Sequence, residues 1–390
     1  MKGLRKYLTP FAPDQSGAVS MCYALGGMVV IVDAGGCAGN ICGFDEPRWQ
    51  PDYLSTFNGQ NAVMETAPHV EAVFSAGLRD MDAILGRDDL LIKKVEEASK
   101  KIDANFIALV GTPVPAVIGT DLFADASILR KALHLPCIAV PTDGMHLYDK
   151  GIEQTLLALM KEFASERPAG AGQDSRICSV LGLNPLDLFD PSWTAAIRTS
   201  LLEQGYEEVL LPGMDPGVDA LRKCPLSARN YVVSPAGIEA AEYLKKQYGT
   251  PYEITFPADP MILLEENPVC EAASYGPDNR ILVVHQQVLA NAIRRRLTEA
   301  GMQGKITAAS WFEMREELAQ DTDVRLKEED DFTTLVREGN WDLIIADPTL
   351  RPMAADWNGK WIDAFHFAVS GQAAIDRTRK KKESSGKTTG

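Results

Sequence analysis

The chain has 390 residues with a formal net charge of -15, 45% hydrophobic residues and 24% charged residues. That composition is globular, and at roughly 150 residues per domain the length implies two or three domains. The acidic balance excludes a general nucleic-acid binder and docking on an anionic membrane.

No run reaches the roughly 18 apolar residues of a membrane span. The longest candidate, "FIALVGTPVPAVIG" (106–119), is broken by two prolines. The N-terminal "MKGLRKYLTPFAPDQSG" is basic but lacks the apolar centre of a signal peptide. A cytoplasmic location is expected. Seven cysteines are a sparse, odd set, unsuited to a disulfide framework.

In chain order, apolar strand candidates are 28–34, 106–111, 137–142, 177–183, 208–213, 281–286 and 343–348. Their continuous Val/Ile character suits parallel strands covered on both faces. Helix candidates fall between them, at 88–103, 149–165, 191–204, 236–248, 287–300 and 311–319. In the fourth, Ile238, Ala241, Leu244 and Tyr248 recur at helical spacing and Gly249 supplies the stop. Repeated strand–helix units imply α/β architecture: three Rossmann-like, doubly wound parallel-sheet domains around a central cleft. Polar, Pro/Gly-containing breaks divide them into 1–170, 171–276 and 277–375, with 376–390 as a disordered tail. The segment ahead of residue 28 is expected to run over the surface towards a partner.

Ligands of open α/β sheets bind beyond the carboxyl ends of the strands. His146, His285 and Asp347 follow strand candidates. Each histidine is either a satisfied side chain near a domain interface or a proton donor in the cleft. Asp347 either caps a turn or faces the cleft, and the three are expected to converge between domains. His366 reads as a core residue, and "GLNPLDLFD" and "PGMDPGVD" as ordinary turns. Neither a Walker-type phosphate loop nor a G-x-G-x-x-G motif is present.

The stretch "VVIVDAGGCAGNICGF" (29–44) is the sharper signal. Cys37 and Cys42 follow a strand in a turn containing Gly35, Gly36 and Gly39. Glycine permits close approach of a bulky group, and backbone amides there can support thiolate sulfur. Spacing alone leaves two readings open, metal ligands or structural thiols, because C-x4-C is not a complete zinc or iron–sulfur motif.

Several stretches, in order, resemble the nitrogenase component 1 family. They are "PFAPDQSGAVSMCYALGGMVVIVDAGGCAGN", "FSAGLRDMDAIL", "FIALVGTPVPAVIGTDL", "LPCIAVPTDGMHLYDKGIEQTLLAL", "LSARNYVVSPAGIEAAEYLKKQYGTPY", "RILVVHQQVLANAIRRRLTEAG" and "WDLIIADPTLRPMAADWNGKWIDAFHFAVSG". The resemblance implies three Rossmann-like domains around a cleft. It also implies an iron–sulfur cluster, [4Fe–4S], at a subunit interface, and a homodimer or a heterodimer with a related subunit. Electrons would come from an ATP-dependent iron–sulfur reductase. Cys37 matches the second of the family's three cluster cysteines. The first falls at Phe11 or Ala12 and the third at Pro113, so both sulfurs are missing. Cys224 falls near the position that ligates the large cofactor of the catalytic subunit. The resemblance leaves a reductase or a non-catalytic scaffold or partner subunit, the latter holding a cluster, a tetrapyrrole or a metallocofactor precursor. The short chain and its five histidines argue against dinitrogen reduction.

Overall fold

Thirteen strands among the described residues form three separate sheets, every strand pair of which is parallel. The structure is a computed structural model and describes residues 6–8, 11–33, 73–77, 88–166, 172–188 and 190–371.

The chain enters through helix α1 (Asp14–Ala24) and continues into β1 (Gly27–Ile31). The first sheet adds β2 (Val73–Ser75), β3 (Phe106–Val110) and β4 (Cys137–Val140), in the order β2-β1-β3-β4. Helices α2 (Asp88–Ser99), α3 (Pro113–Ile118) and α4 (Leu122–Leu133) lie between its strands, and α5 (Tyr148–Phe163) follows β4. The second sheet is β5 (Asp174–Leu181), β6 (Glu208–Leu210), β7 (Ser227–Val232) and β8 (Tyr252–Ile254), ordered β6-β5-β7-β8. Its helices are α6 (Pro191–Glu203), α7 (Asp219–Lys223) and α8 (Ile238–Tyr248). The third sheet contains β9 (Arg280–Val284), β10 (Lys305–Ser310), β11 (Val324–Arg325), β12 (Leu343–Ala346) and β13 (Lys360–Asp363), ordered β11-β10-β9-β12-β13. It carries α9 (Gln287–Glu299), α10 (Glu329–Gly339) and the short α11 (Phe367–Ser370).

The two-residue period of a strand divides these sheets between cores. In the first sheet Val29, Ile31, Ala108 and Val110 face one cluster, while Met28, Val30, Ile107 and Leu109 face another, with Leu91 and Val95 of α2 and Leu129 of α4. In the third sheet Leu282, Val284 and Ile344 join the first of these clusters, and Ile281, Val283 and Ile345 pack with Ile293 and Leu297 of α9. The shared cluster also takes in Val180, Leu181 and Val232 of the second sheet. One apolar core thus joins all three sheets, and each outer sheet has a second, local core on its far face.

Helix α1 departs from the expected surface path. Asp14 to Tyr23 are all buried, because α1 packs against α5 with two glycines at the contact. A Cβ on Gly17 would meet the Tyr148 carbonyl oxygen at 2.1 Å, and one on Gly151 would meet that of Asp14 at 1.8 Å. Backbone cannot yield as a flexible side chain can, so only glycine fits. This approach fixes the start of α5, and therefore Tyr148.

The expected helix at 311–319 is also absent. Only Glu316–Leu318 makes a 3-10 turn. The Phe312 amide donates to Ser310 Oγ at 3.1 Å and the Arg315 amide to Gln287 Oε1 at 2.8 Å. Side-chain acceptors therefore satisfy amides that a helix would have paired internally.

Candidate functional site

Strand ends of all three sheets meet at one buried point. Tyr148 follows β4, Asp187 follows β5, His285 follows β9, Asp347 follows β12 and His366 follows β13. None is more than 4% exposed. This is the placement that parallel α/β topology gives to ligand-binding residues, here supplied by three sheets at once.

Asp187 is the hub. Its Oδ1 accepts from His366 Nε2 at 2.8 Å and from the Tyr148 hydroxyl, which also lies 2.9 Å from His366 Nε2. Its Oδ2 accepts from Asn184 Nδ2 at 2.8 Å. Asn184 Oδ1 in turn accepts from the Leu186 and Asp187 amides, which shapes the turn that presents the carboxylate. Burial pushes the Asp187 carboxyl up, but the His366 hydrogen bond and charge, with the Tyr148 bond, outweigh it and hold it below its ordinary value. Burial, then the Asp187 charge, push Tyr148 well above the ordinary tyrosine range.

His285 stacks on His366, with ring centroids 4.4 Å apart and planes 13° from parallel. Its Nδ1 accepts from the Gln286 amide at 2.9 Å, which puts the proton of the neutral ring on Nε2. No acceptor meets Nε2 in hydrogen-bonding geometry, although the Phe365 carbonyl is close enough to favour the protonated ring. Burial and then the neighbouring His366 charge lower the His285 pKa to about 3. Two imidazolium rings stacked at this distance would repel, so the stack holds at most one positive charge.

Asp347 has a positioning role in this arrangement. Oδ1 accepts from the Thr349 amide and hydroxyl at 2.9 and 2.6 Å, and Oδ2 from the His366 amide at 2.9 Å and the Ser370 hydroxyl. Burial raises its pKa against those bonds. The carboxylate therefore caps one turn and holds the backbone of His366.

His146 stands apart from the cluster. It is exposed, with Nδ1 3.0 Å from Asp143 Oδ1. One ligand atom from each of Asp14, Asp143 and His146 lies within 4.8 Å of the others. Asp14 is already used by the Asp143 and Gly144 amides, and Asp143 by the Met145 amide, so these bonds build the turn. His146 does line a cleft of about 550 Å³ between residues 145–150 and 311–317, whose lining includes Phe312. Phe312 touches both Tyr148 and His366, at 4.9 and 4.8 Å between centroids.

Cys224, just before β7, is fully buried, and burial pushes its thiol up to about 12. Burial likewise keeps Cys22, Cys137 and Cys178 as thiols, whereas Cys270 is exposed. Gly35, Gly36, Cys37, Gly39 and Cys42 lie outside the described residues. The family's other two cysteine positions are described and carry no sulfur. Phe11 is buried against Trp311 and Phe312, Ala12 is buried, and Pro113 opens α3. Neither of these two positions can supply a thiolate. Thr112 Oγ1 donates to the Val32 carbonyl at 2.7 Å, so the end of β1 lies beside the start of α3.

Sequence reading missed Tyr148 and Asp187. Asp187 sits in "GLNPLDLFD", whose turn chemistry is ordinary, and only its place after a strand marks it. No helix among the described residues is long and apolar enough to cross a membrane.

The fold and its junction define a three-sheet, Rossmann-like α/β protein. A family model described as nitrogenase component 1 type oxidoreductase matches residues 53–261, more than half of the chain. The chain belongs to the nitrogenase component 1 type oxidoreductases. Two solved structures described as nitrogenase Cp1 share its fold. The one at pH 6.5 has a TM-score of 0.65 at 12% identity, over 95% of this chain and 88% of the other. The one at pH 5 has a TM-score of 0.64 at 14% identity, over 93% and 84%. A search among curated proteins finds no significant match.

Proposed function

We propose that this chain is a nitrogenase-like reductase component. It accepts low-potential electrons from an ATP-dependent iron–sulfur reductase and reduces a substrate in the cleft between its three units, 1–170, 171–276 and 277–375, in the cytoplasm. The observation that carries the reading is the convergence of strand ends on Tyr148, Asp187, His285 and His366. Reduction consumes protons with electrons, and this cluster holds protons within one aromatic ring of a cleft. His285 and His366 are the proton-handling residues, Asp347 positions His366, and His146 serves the cleft mouth.

Cys37 and Cys42 supply two of the roughly four thiolates that a [4Fe–4S] cluster takes, with Gly35, Gly36 and Gly39 giving it room. A second copy or a related subunit supplies the rest. Exposed apolar side chains of the first sheet's helices and loops support that partner: Val117 and Met145 are each 86% exposed, and Ile118, Phe123 and Ile128 are exposed. These exposed apolar residues support a partner contact that involves the helices and loops of the first sheet.

A non-catalytic scaffold or partner subunit is the second reading. It is favoured by the packing of the junction, where Tyr148, His285, His366 and Phe312 fill the space at the strand ends. The iron and acid-labile sulfide content of anaerobically purified protein tests the proposal. Brown protein containing both is expected of the reductase and also of a cluster-holding scaffold. Colourless protein that gains colour only by binding a brown related subunit supports the partner-subunit reading instead.

A further inference from the structure

We infer that the Phe312 side chain is a gate between the outer cleft and the buried Tyr148–Asp187–His366–His285 cluster. The cleft, lined by His146, Asp149, Lys150, Phe312 and Arg315 among others, lies on one side of the ring. Tyr148 and His366 pack against the same ring, edge to face. The Phe312 ring therefore touches both the cleft and a polar cluster that is costly to bury.

The segment around the ring is held by side-chain bonds rather than by secondary structure. Residues 311–315 have no helix or strand of their own. The Glu313 amide donates to Asp149 Oδ2 at 2.5 Å, Arg315 Nη2 to Glu153 Oε2 at 2.6 Å, and Gln287 Nε2 to the Arg315 carbonyl at 2.9 Å. These bonds pin residues 313 and 315 to α5 and α9. The Phe312 ring itself makes no hydrogen bond and packs in the shared apolar core, with Phe11 at 5.6 Å. Aromatic contacts are weak individually, about 0.5–1.5 kcal/mol per pair, and side-chain rotation needs no backbone bond to break. A rotated Phe312 would join the cleft to His366. Asp149 sets the hinge, because its carboxylate fixes the residue next to the gate.

Deuterium exchange at the imidazole C2 position, read by mass spectrometry for each histidine, tests the gate. It needs neither substrate, cluster nor electron donor, so its outcome is separate from that of the reductase reading. In wild type, exposed His146 should exchange readily and His366 slowly. Phe312→Ala should speed His366 exchange by about tenfold or more and leave His134 unchanged. Phe163→Ala, which thins the same core about 22 Å away along α5, should leave His366 protected. Folded Phe312→Ala protein with wild-type protection at His366, or equal acceleration by Phe163→Ala, overturns the inference. If Phe312→Ala does not fold, Asp149→Ala decides: freeing the Glu313 amide should also speed His366 exchange, and unchanged protection overturns the gate.

Discussion

Replacing Asp187 with alanine is expected to destabilise the fold by about 3–5 kcal/mol, the range found when one partner of a buried ion pair is removed. The pair with His366 is buried, at 5% and 2% side-chain exposure. An exposed pair would be worth only about 0–1 kcal/mol. The loss is large because the carboxylate serves three donors on three segments: Tyr148, His366 and Asn184. Without it the Tyr148 hydroxyl and His366 Nε2 keep only each other, while Asn184 Nδ2 still reaches the Gly182 carbonyl. Asp187→Asn keeps an acceptor and should cost less. Urea denaturation of the three proteins measures this. A cost under about 1 kcal/mol for the alanine variant would mean that the junction contributes little to joining the sheets.

The second large effect is a pH dependence carried by His285. Its folded pKa is lowered to about 3 from an ordinary 6.5. Between those values the unfolded chain binds a proton that the folded ring refuses. Stability from this group is therefore complete above pH 6.5 and is lost as pH falls, by about 1.4 kcal/mol per unit. Asp14 and Asp125, both raised by burial to about 6, act the other way. Each binds more protons folded than unfolded between pH 3.8 and 6, so acidification favours the fold through them. The wild-type curve mixes these terms, and a comparison with His285→Gln separates them. The variant should gain about 2 kcal/mol relative to wild type between pH 6.5 and pH 5. A difference that stays flat over that interval would show that the stacked ring titrates normally.

Seven strands were legible because each is a short Val/Ile run, and they were found within a few residues of the expected positions. The strands missed had other compositions. Strand β7 reads "SARNYV" and β10 reads "KITAAS", whose small and polar residues are buried by tertiary packing that local composition does not mark. Helix α1 was illegible because, with a glycine and two serines among its residues, it shows no amphipathic stripe, yet it is buried through the Gly17 and Gly151 contact. The segment 311–319 shows the reverse: a plausible helical composition is overridden by Ser310 and Gln287.

For the site, His285 and Asp347 were legible from their position after strands. Which atoms they meet was not, since the stack depends on His366 from a different strand of the same sheet and the charge on Asp187 of another. Sequence favoured a catalytic face for Asp347 no more than a turn cap, and its hydrogen bonds describe the cap. His146 follows its strand as expected, but the turn carries it to the surface, and Tyr148 two residues on reaches the junction instead.

The central claim is that Cys37 and Cys42 of this chain hold half of an iron–sulfur cluster. Anaerobic reconstitution with iron and sulfide, followed by visible absorption and EPR of wild type beside Cys37→Ala, tests it most directly. Wild type should take up about two irons per chain, one [4Fe–4S] cluster shared by two chains, and show broad visible absorption with an EPR signal on reduction. The variant should show neither. The same cluster in both proteins, or none in either with every candidate partner subunit present, would contradict the account.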